Sequence, residues 1–155
     1  MKTYVIMLSK AFPRGHLKDG FPTGFEEKLL NALNDKSPEQ PKKLHTIRAN
    51  FGLWAERFSE IEAGRAELSI RQWTGKPYRS KQREIARLTK EDGIGIQPLC
   101  LVDLFRATTI VDGKIELPVL AKNDGLTFDD WYYWFRGYDI SQPLAIIHFT
   151  KFRYR

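Results

Sequence analysis

Polar and apolar positions alternate in some stretches of the chain and recur at three- or four-residue spacing in others. This switch of period lays out the elements. Thr3 to Leu8 is apolar and β-rich and predicts a buried first strand. Ser9 to Pro22 loses all periodicity, carries Pro13, Gly15, Gly20 and Pro22, and predicts a loop. Thr23-Gly24-Phe25-Glu26 has the spacing of a capping box, and Phe25, Leu29, Leu30 and Leu33 then form one helical stripe. Asn34 to Pro41 is polar and broken by Pro38 and Pro41. Residues 9–41 therefore predict a loop–helix excursion, either a lid or a surface elaboration.

Lys42-Lys43-Leu44-His45-Thr46-Ile47-Arg48 predicts a short strand between this excursion and a strongly patterned helix. Alternation puts Leu44, Thr46 and Arg48 on one face and His45 and Ile47 on the other. Lys43 has the opposite parity to Thr46 and joins it only if the chain still bends where the strand begins. Asn50 is placed to cap a helix whose stripe is Phe51, Trp54, Phe58 and Ile61, with Gly64 as its stop. Ala66 to Trp73 and Gln82 to Leu88 alternate and predict a hairpin around Thr74-Gly75-Lys76-Pro77-Tyr78.

Ile94 to Phe105 is a long apolar run, and Pro98 within it implies a sheet edge or a bulge. Its one cysteine, Cys100, is expected to be a buried core thiol. Thr108 to Val111, an Asp112-Gly113 turn, and Lys114 to Leu117 read as a second hairpin. Val119 to Lys122 predicts a short helical turn ending in Asn123-Asp124-Gly125. Thr127, with Asp130 three residues on in capping-box spacing, then caps a helix with Trp131, Trp134, Phe135 and Tyr138 on one stripe, read as core rather than ligand wall. Pro143 to Tyr154 closes the chain with a strand on which His148 reads as structural. About seven strands and three helices without regular alternation predict an α+β fold, and a small mixed barrel with flanking helices fits it.

Composition sharpens this picture. The 155 residues carry a formal charge of +6, enough chain for a single domain with a sizeable core. A lone cysteine excludes an intramolecular disulfide, and no run approaches the roughly 20 apolar residues of a membrane span. A cytoplasmic protein with no membrane association is expected. His16, His45, His148 and Cys100 lack ligand-like spacing, so no metal and no cofactor is implied.

Two stretches carry candidate chemistry. Lys43, Thr46 and Arg48 offer an amine, a hydroxyl and a guanidinium in a short span, a set suited to holding an anion or polar heterocycle, or to pairing a nucleophile with its base. The first hairpin clusters Arg71, Lys76, Arg79 and Lys81 with Trp73 and Tyr78, the mixture that suits a nucleic-acid backbone with stacked bases.

Lys43-Leu44-His45-Thr46-Ile47-Arg48, followed much later by Asn123-Asp124-Gly125-Leu126-Thr127 at a helix start and by Ile146-Ile147-His148-Phe149 in a last strand, resembles the ASCH-domain family. That family shares the PUA-like barrel. The resemblance runs from about Lys42 to Phe152, together with the first strand. It implies a mixed β-barrel with flanking helices and an RNA, nucleotide or modified-nucleoside partner bound in a basic cleft around the K-x-x-T-x-R motif. One branch is similar to metal-independent amidohydrolases that remove the acyl group from acetylcytidine. The positions matching its catalytic lysine, threonine and acid are Lys43, Thr46 and Asp124. The chain departs from that branch in having Asp for Glu, His45 before Thr46, the 9–41 excursion and the basic hairpin. RNA or nucleotide binding is the favoured expectation, with amidohydrolase action and a non-catalytic interaction scaffold as the alternatives. For the binding reading the expected contacts are Arg48, Arg71, Trp73, Lys76, Tyr78, Arg79 and Lys81.

Overall fold

The computed structural model describes residues 1–34, 39–103, 108–110 and 113–155, with side chains described outside 104–114. The elements follow in the order β1 (Lys2–Met7), α1 (Phe25–Asn34), β2 (His45–Arg48), α2 (Phe51–Glu62), β3 (Ala66–Trp73), β4 (Gln82–Leu88), β5 (Gly95–Leu99), β6 (Thr108–Ile110), β7 (Gly113–Ile115), α3 (Leu117–Asn123), α4 (Phe128–Phe135) and β8 (Leu144–His148). The fold is mixed α+β. No described helix is long and apolar enough to cross a membrane.

The strands form separate sheets. One has the order β1-β3-β4, with β1 parallel to β3 and β3 antiparallel to β4. The second is antiparallel, in the order β2-β8-β5. The β6–β7 hairpin stands apart. The ladders of the described residues do not close into a barrel, which corrects that part of the expectation. Pro98 sits on edge strand β5, where its missing N–H breaks no interior ladder. Ile110 pairs with Gly113, so Gly113 belongs to β7 and not to the predicted Asp112-Gly113 turn, and Asp112 itself lies outside the described residues.

Local chemistry explains most boundaries. Asn50 adopts φ 67°, a left-handed conformation that asparagine tolerates, and its side chain accepts a hydrogen bond from the Leu53 N–H. Gly64, at φ 77°, stops α2. Thr127 caps α4 by accepting from the Asp130 N–H. Neither anticipated capping box closes. The Glu26 carboxylate pairs with Arg83 and the Asp130 carboxylate with Lys18 instead, because each tertiary partner is a cation.

The core gathers Ile6, Leu29, Phe58, Ile61, Leu68, Ile70, Leu120, Trp131 and all of β8. Phe25 and Leu29 of α1 are buried in it, so the helix within the predicted 9–41 excursion is part of the packing. Cys100 is exposed, contrary to the expectation of a core thiol. Leu99 and Leu101 point inward, and alternation turns the residue between them out.

Candidate functional site

The site begins with a helix stop. α3 ends at Asp124, and Gly125 follows at φ 81°, which suits a residue without Cβ. A Cβ on Gly125 would also stand 3.3 Å from the Lys43 Cβ and 3.4 Å from the Lys28 Cδ. This bare turn lets the approach to β2 come close. The Leu44 N–H donates to the Asn123 carbonyl at 2.7 Å, and Lys43 and Asp124 form an isolated antiparallel bridge.

Backbone pairing brings the two side chains together. Lys43 Nζ donates to Asp124 Oδ1 and to the Asp124 carbonyl, both at 2.7 Å, and lies 4.0 Å from the centre of the Phe25 ring. Lys43 and Asp124 are each only 2% exposed, so this ion pair is enclosed. Burial pulls the Lys43 ammonium below its usual pKa, against the charge and hydrogen bond of Asp124. Burial alone would push the Asp124 carboxyl up, but Lys43 and His45 together hold it below the ordinary range. Lys28 of α1 fastens the same turn, donating to the carbonyls of Gly125 at 2.8 Å and Thr23 at 3.0 Å.

A cavity of about 120 Å³ opens beside the pair, lined by Leu8, Ser9, Phe25, Lys43, Thr46, Ile47, Arg48, Asp124, Leu126, Trp134, Phe135 and Tyr138. Pockets that enclose drug-sized ligands hold about 300–1,000 Å³, so this one suits a base-sized group rather than a whole nucleotide. Thr46 is buried, and its hydroxyl has no hydrogen-bond partner among the described residues. Arg48 donates from Nη2 to the Met7 carbonyl at 2.6 Å, while its buried Nε has no partner. Among the described residues Arg48 forms no ion pair, and burial lowers its pKa from a value so high that the group stays charged.

The predicted quartet Lys43, Thr46, Arg48 and Asp124 thus lines one cavity. The bend required for Lys43 is present: regular strand begins only at His45, and Leu44 borders grooves outside the cavity. Lys43 and His45 keep their shared parity and both approach Asp124. No hydrogen bond joins Lys43 to Thr46, so the amine is not placed as a base on that hydroxyl.

The hairpin residues lie elsewhere. None of Arg71, Trp73, Lys76, Tyr78, Arg79 and Lys81 lines the cavity. Arg71 is occupied by Ser69 and Gln82. Lower on β4, Arg83 pairs with Glu26, and Arg87 with Glu67 and Glu84. The tip differs: Lys76, Arg79 and Lys81 form no ion pair among the described residues, and Tyr78 is 89% exposed at φ 63°, its ring 5.2 Å from that of Trp73. Lys10, next to cavity residue Ser9, donates to the Thr74 carbonyl and links the tip to the cavity rim.

Four features escaped the sequence reading. Phe25 supplies the ring beneath the Lys43 amine. Trp134, Phe135 and Tyr138, predicted to be core, also form cavity wall. Residues 9–22 are strapped to α4: His16 Nε2 meets the Asp130 carbonyl at 2.9 Å, Lys18 pairs with Asp130, and Arg136 donates to the Gly15 carbonyl. His45 and Tyr154 form a buried contact behind the ion pair, and nothing in the sequence links two residues so far apart. Compared with family models, curated proteins and solved structures, the chain matches none.

Proposed function

We propose that the protein binds RNA or nucleotides, seating a base-sized group in the cavity and leading the phosphate backbone across the hairpin tip. The observation that carries this reading is the half-buried Arg48 guanidinium, which forms no ion pair among the described residues, beside a Thr46 hydroxyl with no hydrogen-bond partner among them, in a cavity walled by aromatic rings. A partly desolvated cation whose cavity carboxylate, Asp124, is already engaged by Lys43 favours a ligand that brings negative charge or strong acceptors. Thr46 supplies a hydrogen bond to a base edge, and the rings of Trp134 and Phe135 supply an apolar wall. The unneutralised tip cations and exposed Tyr78 add the electrostatic track and stacking platform of a single-strand binder. The motif order around Lys43, Thr46, Arg48 and Asp124 keeps the ASCH-type, PUA-like relationship as part of this proposal, with the open sheets as a departure from its barrel.

Salt titration with a single-stranded RNA tests it. A single strand loses about 0.7 in log–log slope per phosphate contact, so three tip cations give a slope of about −2. The combined Lys76→Gln, Arg79→Gln, Lys81→Gln variant is expected to lose most of that slope. Arg48→Met is expected to weaken mononucleotide binding while leaving the slope of the longer RNA. A flat salt response in the wild type sinks the proposal.

One observation favours amidohydrolase action as a second reading: an unpartnered hydroxyl and a desolvated amine share the cavity. Thr46 would attack the amide carbonyl, the C–N bond would break as the amine leaves with the hydroxyl proton relayed by a neutral Lys43, and water would then cleave the acyl ester. Lys43 would first have to shed its own proton, which Asp124 opposes. Turnover of acetylcytidine that disappears in both Lys43→Ala and Thr46→Ala would establish this reading over simple binding.

A further inference from the structure

Behind the Lys43–Asp124 pair lies a second layer of buried polar groups that neither reading above uses. His45 is fully buried. Its Nε2 lies 2.6 Å from the Tyr154 hydroxyl, and its Nδ1 lies 3.6 Å from Asp124 Oδ1 with no closer partner. Asn123 Nδ2 donates to the same Tyr154 hydroxyl at 3.1 Å. Tyr154 is held in place by Gln97, which donates to its carbonyl and accepts from its N–H, both at 3.0 Å.

These contacts fix the protons. The Tyr154 oxygen accepts from Asn123, and among the described residues His45 Nε2 is the one acceptor bonded to this hydroxyl, so it takes the phenol's hydrogen. Burial pushes the phenol's pKa up, so it keeps that hydrogen, and burial pushes the His45 imidazole down, so it stays neutral. A neutral ring that accepts at Nε2 carries its proton on Nδ1, which faces the Asp124 carboxylate. At 3.6 Å the carboxylate is beyond hydrogen-bond length and does not by itself select the tautomer, so the short Tyr154 contact decides it. The other titratable groups facing His45 are Lys43, which shares Asp124, and His148, whose ring centre is 5.6 Å away and whose Nε2 is engaged by Gln97.

We infer that His45 is a positioning residue, locked by Tyr154 with its proton on Nδ1, which orients the Asp124 carboxylate toward Lys43 and holds the cavity's buried ion pair in register. The logic is that of an imidazole held by an outer partner so that its other nitrogen serves an inner one. Sequence alternation puts His45 on the face away from Thr46, so it acts through Asp124 and does not touch a ligand in the cavity. The functional weight of this device rests on the cavity being the binding site, but its test reads protons rather than ligand, so either idea can fail alone.

Long-range ¹H–¹⁵N correlation spectra of the full chain at neutral pH identify the protonated nitrogen of each histidine, with His45→Gln assigning the signal. The expected result is a proton on Nδ1 of His45, the minor form of a free imidazole. In Tyr154→Phe the proton is expected to move to Nε2, and the Asp124 carboxyl, followed by its ¹³Cγ shift, to titrate higher by about one pH unit. A wild-type His45 protonated on Nε2, or on both nitrogens, overturns the inference even if the variant fails to fold. Persistence of the Nδ1 proton in a folded Tyr154→Phe protein overturns the role of Tyr154. An unshifted Asp124 midpoint overturns the coupling.

Discussion

Mild acid should destabilise this protein through its core histidines. His148 is completely buried on β8, and its Nε2 donates to Gln97 Oε1 at 2.9 Å. Its Nδ1 has no partner, so a second proton there would be a buried charge without an acceptor. Burial, with smaller contributions from His45 and Arg153, depresses its pKa to about 2. The unfolded chain regains a value of about 6.5. Below that pH the unfolded state binds a proton that the native state refuses, so stability is complete above about 6.5 and falls as pH drops. At 1.36 kcal/mol per pH unit, lowering the pH to 5.0 costs about 2 kcal/mol from His148 alone. His45, also pushed down by burial, adds to the loss. Urea unfolding at pH 7.0 and 5.0 reads the difference directly. In a chain of this size it also appears as a fall of about 4–8 °C in Tm. His148→Gln keeps a donor for Gln97 and removes the titration, so its pH-dependent loss should be smaller by about 2 kcal/mol. A wild type equally stable at both pH values, or a variant with undiminished pH dependence, would refute the reasoning.

Two further perturbations probe the site's construction. Asp124→Asn leaves the Lys43 ammonium buried opposite a neutral amide, and equilibrium unfolding should show a loss of about 3–5 kcal/mol. Adding Lys43→Met to that variant should recover most of the loss, because an apolar chain needs no counter-charge; a double variant as unstable as the single one would contradict this. Gly125→Ala places a Cβ at a φ of 81° and against Lys43, so it should cost about 1–3 kcal/mol in the same measurement.

Much of the architecture was legible because its causes are local. The caps at Asn50 and Thr127 and the stop at Gly64 depend on residues a few positions apart. The β3–β4 hairpin follows from alternation on both sides of a turn. The K-x-x-T-x-R spacing likewise placed Thr46 and Arg48 together, and the acid at the α3 stop was recognised through its place in the motif order. Other expectations failed where a local pattern has more than one tertiary outcome. An apolar run around Cys100 suggested burial, but a strand end turns alternate residues outward. A threonine three residues before an acid suggested two reciprocal caps, but distant cations took both carboxylates.

The linear order of side chains by itself determined where helices and strands start and stop, which faces are apolar, and that the cations gather in one motif and one hairpin. Tertiary packing alone decided which of those cations are paired: Arg83 and Arg87 meet acids, whereas the tip residues and Arg48 form no ion pair among the described residues. It also decided that Lys43 meets a carboxylate 81 positions away and that Tyr154 reaches His45 across 109. The reason is range. Periodicity and capping act over a turn of backbone, whereas burial, ion pairing and the resulting proton positions depend on what the finished fold places within a few ångströms.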